Sequence, residues 1–237
     1  MMNKGKLIVF EGIDCSFKET NSKALFEYLK TVEDIPKVNL IAFPTYGSPS
    51  AYFVEKFLKS EYKNNDPYFI SLLYAMDRAD TIERENVKER LENGEWFIFD
   101  RYVTSNVVYQ CARVKDAYYY KNQLTKFIDT IEYDIMKLPR PDLEIFLHCT
   151  NDDLVKKVIS EKENKDKNEL DLGYMGDCRN FIKKYFIMKY PYVGREIIDA
   201  CVNDPQFIYR NDGCEFKSEE EIKNEVIELV NKKLLNK

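Results

Sequence analysis

Lys6-Leu-Ile-Val-Phe-Glu-Gly-Ile-Asp-Cys-Ser-Phe-Lys-Glu-Thr20 decides the fold of this chain. The apolar run Leu7 to Phe10 leads into a turn, and the turn delivers Lys18 to the start of a helical pattern. That is the layout of a phosphate-binding loop, in which backbone N–H groups and a lysine ammonium surround an anion. Against the spacing G-x-x-x-x-G-K-[ST], Gly12 and Lys18 are in register, whereas Phe17 stands in the second glycine position and Glu19 in that of the Mg²⁺-binding hydroxyl. The candidate donor-phosphate loop is therefore Gly12, Ile13, Asp14, Cys15, Ser16, Phe17, Lys18, Glu19 and Thr20. A motif altered in this way is equally compatible with a strand, turn and helix that bind nothing, so the remaining sequence has to decide.

Working outward, further apolar runs recur at Val38 to Phe43, Trp96 to Phe99, Leu143 to Leu147 and Phe207 to Tyr209. Each is continuous rather than alternating, as expected of strands buried on both faces of a parallel sheet. The intervening segments are long enough for crossover helices, at Asn21 to Lys30, across Ser71 to Leu91 with an end near Gly94, and at Asn122 to Lys137 before Pro139 and Pro141. The pattern predicts an α/β protein with three α/β/α layers around a five-stranded parallel sheet, and a single domain over residues 1–237. Glu161 to Asp171 is almost entirely charged or polar and reads most plainly as a solvated helix end or loop. In a phosphate-transfer fold the same segment, about 161–180, becomes a candidate mobile lid.

At 237 residues and 44% apolar content the chain can bury one substantial core. No apolar run approaches the ~18 residues needed to span a bilayer, and the N-terminus lacks a leader pattern, so a cytoplasmic protein without a membrane partner is expected. Cys15, Cys111, Cys149, Cys178, Cys201 and Cys214 show no C-x-x-C spacing, and His148 is the single histidine, so reduced thiols and no usual zinc cluster are expected. His148 ends an apolar strand and reads as structural. A net charge of −5 argues against gripping a nucleic acid polymer, but a small anion held by Lys18, Arg78 and Arg101 is compatible with it.

Asp100 and Arg101 follow the third apolar run, where open parallel sheets bind ligands. A carboxylate beside a guanidinium there can organise hydrated Mg²⁺ and clamp phosphate oxygens; the plainer alternative is a surface ion pair. Tyr74 and Arg78 are four residues apart on one helical face, so a ring and a forked cation address one ligand, or else serve the core and the solvent separately.

Taken together, Val9-Phe-Glu-Gly-Ile-Asp14, Phe43-Pro44 with Tyr46, Leu73-Tyr-Ala-Met-Asp-Arg78, Asp100-Arg-Tyr-Val-Thr-Ser105 with Tyr109-Gln110, and Leu138-Pro-Arg-Pro-Asp-Leu143 resemble the thymidylate kinases, a family of P-loop nucleoside monophosphate kinases. The resemblance covers nearly all of the chain. It implies transfer of the ATP γ-phosphate to dTMP, with Mg²⁺ as cofactor, and homodimers formed through the faces near Ser71 to Ala79 and Val107 to Ala112. It further implies that Lys18 neutralises the donor phosphates, that Asp14 reaches the sugar 3′-hydroxyl, and that Phe43 and Pro44 shape the acceptor pocket. Tyr74 would stack on the base, Arg78 bind the acceptor phosphate and Arg101 bridge the two phosphates. Asp100, with Glu19 as a second candidate, would support Mg²⁺; Ser105 and Gln110 would face the base and Tyr109 would wall the sugar.

Departures from the family pattern are local. A ring at Phe17 is expected to crowd the donor phosphates, Cys15 supplies no arginine beside Asp14, and Thr45 stands where many relatives carry one. Lys162, Lys165 and Lys167 are the cations of the candidate lid, with Arg179 farther on. Phe17 and Glu19 also fit a silent nucleotide-binding protein that keeps the dTMP pocket; a deoxynucleoside kinase on a related P-loop fold is a further alternative, against which Arg78 weighs.

Overall fold

The computed structural model describes residues 4–14, 16–114, 118–148, 160, 173–178, 180–181, 194–199 and 217–236. Five strands form one parallel sheet in the order β2-β3-β1-β4-β5: β1 is Leu7–Glu11, β2 Val38–Ala42, β3 Trp96–Asp100, β4 Leu143–His148 and β5 Gly194–Asp199. The expected class and strand number hold, with one change of position. Sequence patterning puts the last strand at Phe207 to Tyr209, which lies outside the described residues, whereas the fifth strand of the sheet is Gly194–Asp199. Arg195 and Glu196 break its apolar run, so a search for continuous hydrophobicity passes over it; charge is tolerated there because β5 is an edge strand.

Alternation along the strands explains why the runs look uninterrupted. Ile8 and Phe10 face a cluster with Leu25, Leu29, Ile98, Ile145, Ile222 and Val226, beneath helix α1 (Lys18–Leu29) and the last helix, α7 (Glu219–Val230). Leu7 and Val9 face the other way, onto Phe97, Phe99, Tyr102, Val107, Leu124 and Ile128. That second layer is built by α3 (Pro67–Arg84), α4 (Val87–Glu92), α5 (Val103–Arg113) and α6 (Tyr118–Asp129), with the short α2 (Tyr52–Leu58) packed on α3. Both strand faces are therefore buried, which leaves no polar alternation to read.

Helix boundaries follow local chemistry. Asp66 caps α3 by accepting from Phe69 N at 3.0 Å, with Pro67 in the first turn, and Asn86 at φ 50 separates α3 from α4, so the expected Ser71 to Leu91 region is two helices. A capping box between Ser218 and Glu221 starts α7. Val107, Val108, Cys111 and Ala112, expected as part of a pairing face, are buried within the chain itself. On α3, Met76 is exposed.

At the end of β1, Gly12 has φ 150, and a Cβ there would lie 2.4 Å from Ser16 Oγ and 2.6 Å from the Leu147 carbonyl oxygen. Gly12→Ala is expected to lower the urea midpoint and, more than that, to displace the turn between Gly12 and Lys18; an unchanged midpoint with native anion affinity would contradict this account.

Candidate active site

The carboxyl ends of β1 and β3 lie side by side, with Phe10 in register with Asp100, and this register assembles the site. From β1 the chain turns through Gly12 to Ser16 and enters α1 at Lys18. Phe17 takes φ 61, the left-handed conformation the glycine template requires, and its ring packs against the cluster under α1. The ring expected to crowd the donor phosphates is instead turned onto the core. Lys18 is buried, and its Nζ donates to the Ile13 carbonyl at 2.5 Å and to Ser16 Oγ at 3.4 Å. Burial, and then the charge of Arg101, push its pKa down to about 8. Glu19 projects to solvent and pairs with Lys23 at 2.6 Å, and Thr20 is exposed. Cys15 lies outside the described residues.

Arg101 leaves β3 in a left-handed turn, φ 70, with its N–H bonded to the Phe10 carbonyl at 2.9 Å. Its guanidinium donates to Asp14, to the Gly12 carbonyl at 3.2 Å, to Tyr109 Oη at 3.3 Å and to Ser105 Oγ at 3.5 Å. Tyr109 in turn donates to Asp14 at 2.9 Å. Burial works against the charge of Arg101, yet Asp14, Tyr109 and Asp100 together outweigh it and the guanidinium pKa is raised well above its ordinary value. Asp100 Oδ1 is buried and has no hydrogen-bond partner among the described residues. A hard cation such as Mg²⁺ suits such an oxygen, so Asp100 is the residue that would hold it.

Arg78 reaches the cleft in a different electrostatic state from the one expected of a phosphate clamp. Its Nε and Nη2 both donate to Glu132 at 2.6 Å, with side-chain exposures of 3% and 0%. Burial opposes its charge, but Glu132 more than compensates and the pKa is raised. Asn106 donates to Glu132 at 2.8 Å and to the Ser71 carbonyl at 2.9 Å, fixing the pair between α3 and α5. A guanidinium so neutralised offers a directed donor more than a free charge. One turn along α5 from Asn106, Gln110 Oε1 is a buried acceptor with no partner among the described residues.

These residues line one cleft of about 520 Å³, with Asp14, Phe43, Pro44, Tyr46, Tyr74, Arg78, Arg101, Ser105, Tyr109 and Gln110 in its wall. Thus the acceptor-side residues expected from sequence converge, while Glu19 and Thr20 stay outside. Ser105 stands at the Arg101 end of the cleft, where its hydroxyl donates to Glu11, and Gln110 shares the Arg78 end with Asn106. Phe43 and Pro44 are joined by a cis peptide bond, and the following Thr45 is tied to α3: its N–H and hydroxyl donate to Asp77 at 3.0 and 2.5 Å. Within the expected lid, only 173–178 and 180 are described. There Tyr174 donates to the Tyr109 carbonyl at 2.5 Å, and Arg113 lies between the rings of Phe57 and Tyr174. Sequence reading missed Glu11, Asp77, Glu132 and Asn106. A polar residue inside an apolar strand, as at Glu11, is the one signal that could have found any of them.

Sheet order, the loop after β1 and the cleft define an α/β protein with a phosphate-loop arrangement at the carboxyl ends of its strands. The thymidylate kinase family model matches residues 10–186, and the chain belongs to the thymidylate kinase family. Related curated proteins include the thymidylate kinases of Dictyostelium discoideum, 28% identical over 66% of this chain, and of Schizosaccharomyces pombe, 32% identical over 62%. That of Plasmodium falciparum is 38% identical over 45%. The chain spans 64%, 62% and 48% of those relatives' own lengths, less than two thirds in each case. Among solved structures, the Candida albicans thymidylate kinase superposes with a TM-score of 0.70 at 20% identity, covering 97% of this chain and 92% of that one. The Ehrlichia chaffeensis enzyme gives 0.62 at 21% identity, covering 96% and 100%.

Two measurements check the electrostatics. Glu132→Ala leaves Arg78 buried without its partner and is expected to cost about 3–5 kcal/mol in urea unfolding. Pyrophosphate affinity is expected to weaken between about pH 7 and pH 9, because Lys18 loses its proton as pH rises through its depressed value; a Lys18→Gln variant should lose that pH dependence.

Proposed function

We propose that the protein is a dTMP kinase, using MgATP to convert dTMP into dTDP with release of ADP. The observation that carries the reading is the convergence of Arg101 and Asp14, with Lys18 close enough to feel both charges, on a cleft whose wall also holds Tyr74, Arg78 and Gln110. A phosphate oxygen of dTMP attacks the γ-phosphorus, the β–γ bridging bond breaks, and its electron pair leaves with ADP. Arg101 exchanges Asp14 for phosphate oxygens and stabilises the charge that spreads during transfer. Asp14, thus released, accepts the sugar 3′-hydroxyl, and Tyr109 walls the sugar. Lys18 swings from the Ile13 carbonyl to the donor phosphates. Asp100 would hold Mg²⁺, which would supply charge neutralisation on the donor phosphates.

Arg78 is assigned to a carbonyl oxygen of the base rather than to the acceptor phosphate, because Glu132 already compensates its charge. Tyr74 stacks on the ring and Gln110 Oε1 receives a ring N–H, a pattern suited to thymine or uracil. The reading includes a cytoplasmic single-domain enzyme, a lid over about 161–180, and a homodimer in which α3 takes part through Met76.

A second reading is favoured by the donor loop: Phe17 carries a β-carbon where phosphates approach, and Glu19 is engaged by Lys23 instead of facing them. In that case the protein binds dTMP without MgATP and is catalytically silent. A coupled ADP-release assay separates the two. Activity with dTMP that falls by about 10³-fold or more in Arg101→Ala supports the kinase. Calorimetry showing dTMP binding but no MgATP binding supports the silent protein, and phosphorylation of thymidine in preference to dTMP makes the chain a deoxynucleoside kinase.

A further inference from the structure

We propose that Glu11 is a positioning residue for Arg101: its carboxylate, buried under the first turn of α5, holds the left-handed turn from which that guanidinium enters the cleft. Glu11 is 1% exposed and accepts from Tyr102 N at 2.9 Å, from Ser105 N at 3.1 Å and from the Ser105 hydroxyl. The first two are orphan N–H groups of a helix start, which a carboxylate satisfies with the added attraction of the helix dipole. Among the described residues no cation forms a hydrogen bond with it. The carboxylate is thus fully committed to the chain on either side of one turn.

That turn needs holding. A positive φ at a long side chain such as arginine is disfavoured and persists only where its surroundings over-determine it. Arg101 is clamped from both sides, its own N–H on the Phe10 carbonyl and the next N–H on Glu11. Phe10 and Glu11 are neighbours on β1, so one strand end sets the direction of the arginine. Ser105 completes the link by donating to Glu11 while receiving Arg101 Nη1.

The groups facing Glu11 are Glu144 from β4, Arg101 beyond β3, Ser105 from α5 and Lys18 from α1. Burial first, and then Glu144, raise the Glu11 pKa from 4.5 to about 7. A carboxylate easier to ionise in the unfolded chain than in the folded one makes stability fall as pH rises across that interval. Glu11→Gln should remove this slope from thermal melts taken across it.

The inference rests on the kinase reading for its catalytic arm, so the test is a double-mutant cycle with two readouts. Glu11→Gln is expected to lower kcat by on the order of 10²-fold while the KM for dTMP changes much less, as misaimed transition-state groups do. In an Arg101→Ala background the same substitution should add almost nothing, because Glu11 acts through that residue. Additive losses, or an unchanged kcat in Glu11→Gln, overturn the proposal. If Glu11→Gln does not fold, Ser105→Ala replaces it in the cycle and is read the same way. If the wild-type protein releases no ADP, the kinase reading fails on its own, and the cycle is read in dTMP affinity by calorimetry: coupled losses keep the role of Glu11 and additive ones remove it.

Discussion

The register between β1 and β3 is the constraint on which the site depends. Pairing Phe10 with Asp100 makes the two strands end together, so the turn after one and the turn after the other occupy the same place. One hydrogen bond, from Arg101 N to the Phe10 carbonyl, carries the parallel ladder a step past the sheet and into the chemistry. Sliding either strand by one residue would reverse the facing of Glu11 and bury a different row of side chains. The aromatic packing of Phe99 and Tyr102 against Phe43, and of Phe97 against Phe99, makes such a slip expensive.

Around that frame the cleft is assembled from compensated charges. Arg101 meets Asp14 and Arg78 meets Glu132, so neither guanidinium is bare in the absence of ligand. The two pairs differ in how easily they exchange. Arg101 and Asp14 are each roughly a fifth exposed, whereas Arg78 and Glu132 are sealed between helices. The first pair can be opened by an incoming anion, and the second behaves as a fixed part of the wall. This asymmetry gives the cleft a responsive end and a rigid end.

Much of the architecture was legible in the sequence because the runs at Leu7, Trp96 and Leu143 are buried on both faces and that at Val38, though at an edge, keeps its apolar residues. Strand β5 was not, since edge position admits Arg195 and Glu196 and erases the apolar run. The loop was legible by spacing, down to the left-handed residue at position 17, but its side-chain directions were not: nothing in the sequence says that Glu19 turns outward to Lys23 or that the Phe17 ring turns inward. Arg78 shows the same limit more sharply. Its helical spacing from Tyr74 correctly brings it to the cleft, yet its partner Glu132 lies more than fifty residues away, and only the packing of α3 against α5 and the chain beyond α6 reveals the pairing. Thr45 and Asp77 repeat the lesson, as local residue types tell little about which distant hydroxyl will meet which carboxylate.

Lys18, bent back on the Ile13 carbonyl and Ser16, gives the empty loop an internal stopper. A visitor must outcompete a carbonyl dipole already seated at the ammonium, and it must do so in a place where water has been largely excluded. Chloride and other weakly held ions gain too little from that exchange, whereas a chain of linked phosphates meets the lysine with several oxygens at once. On the kinase reading, that contact would act as a threshold that a polyvalent anion passes more readily than the small ions of a salt solution.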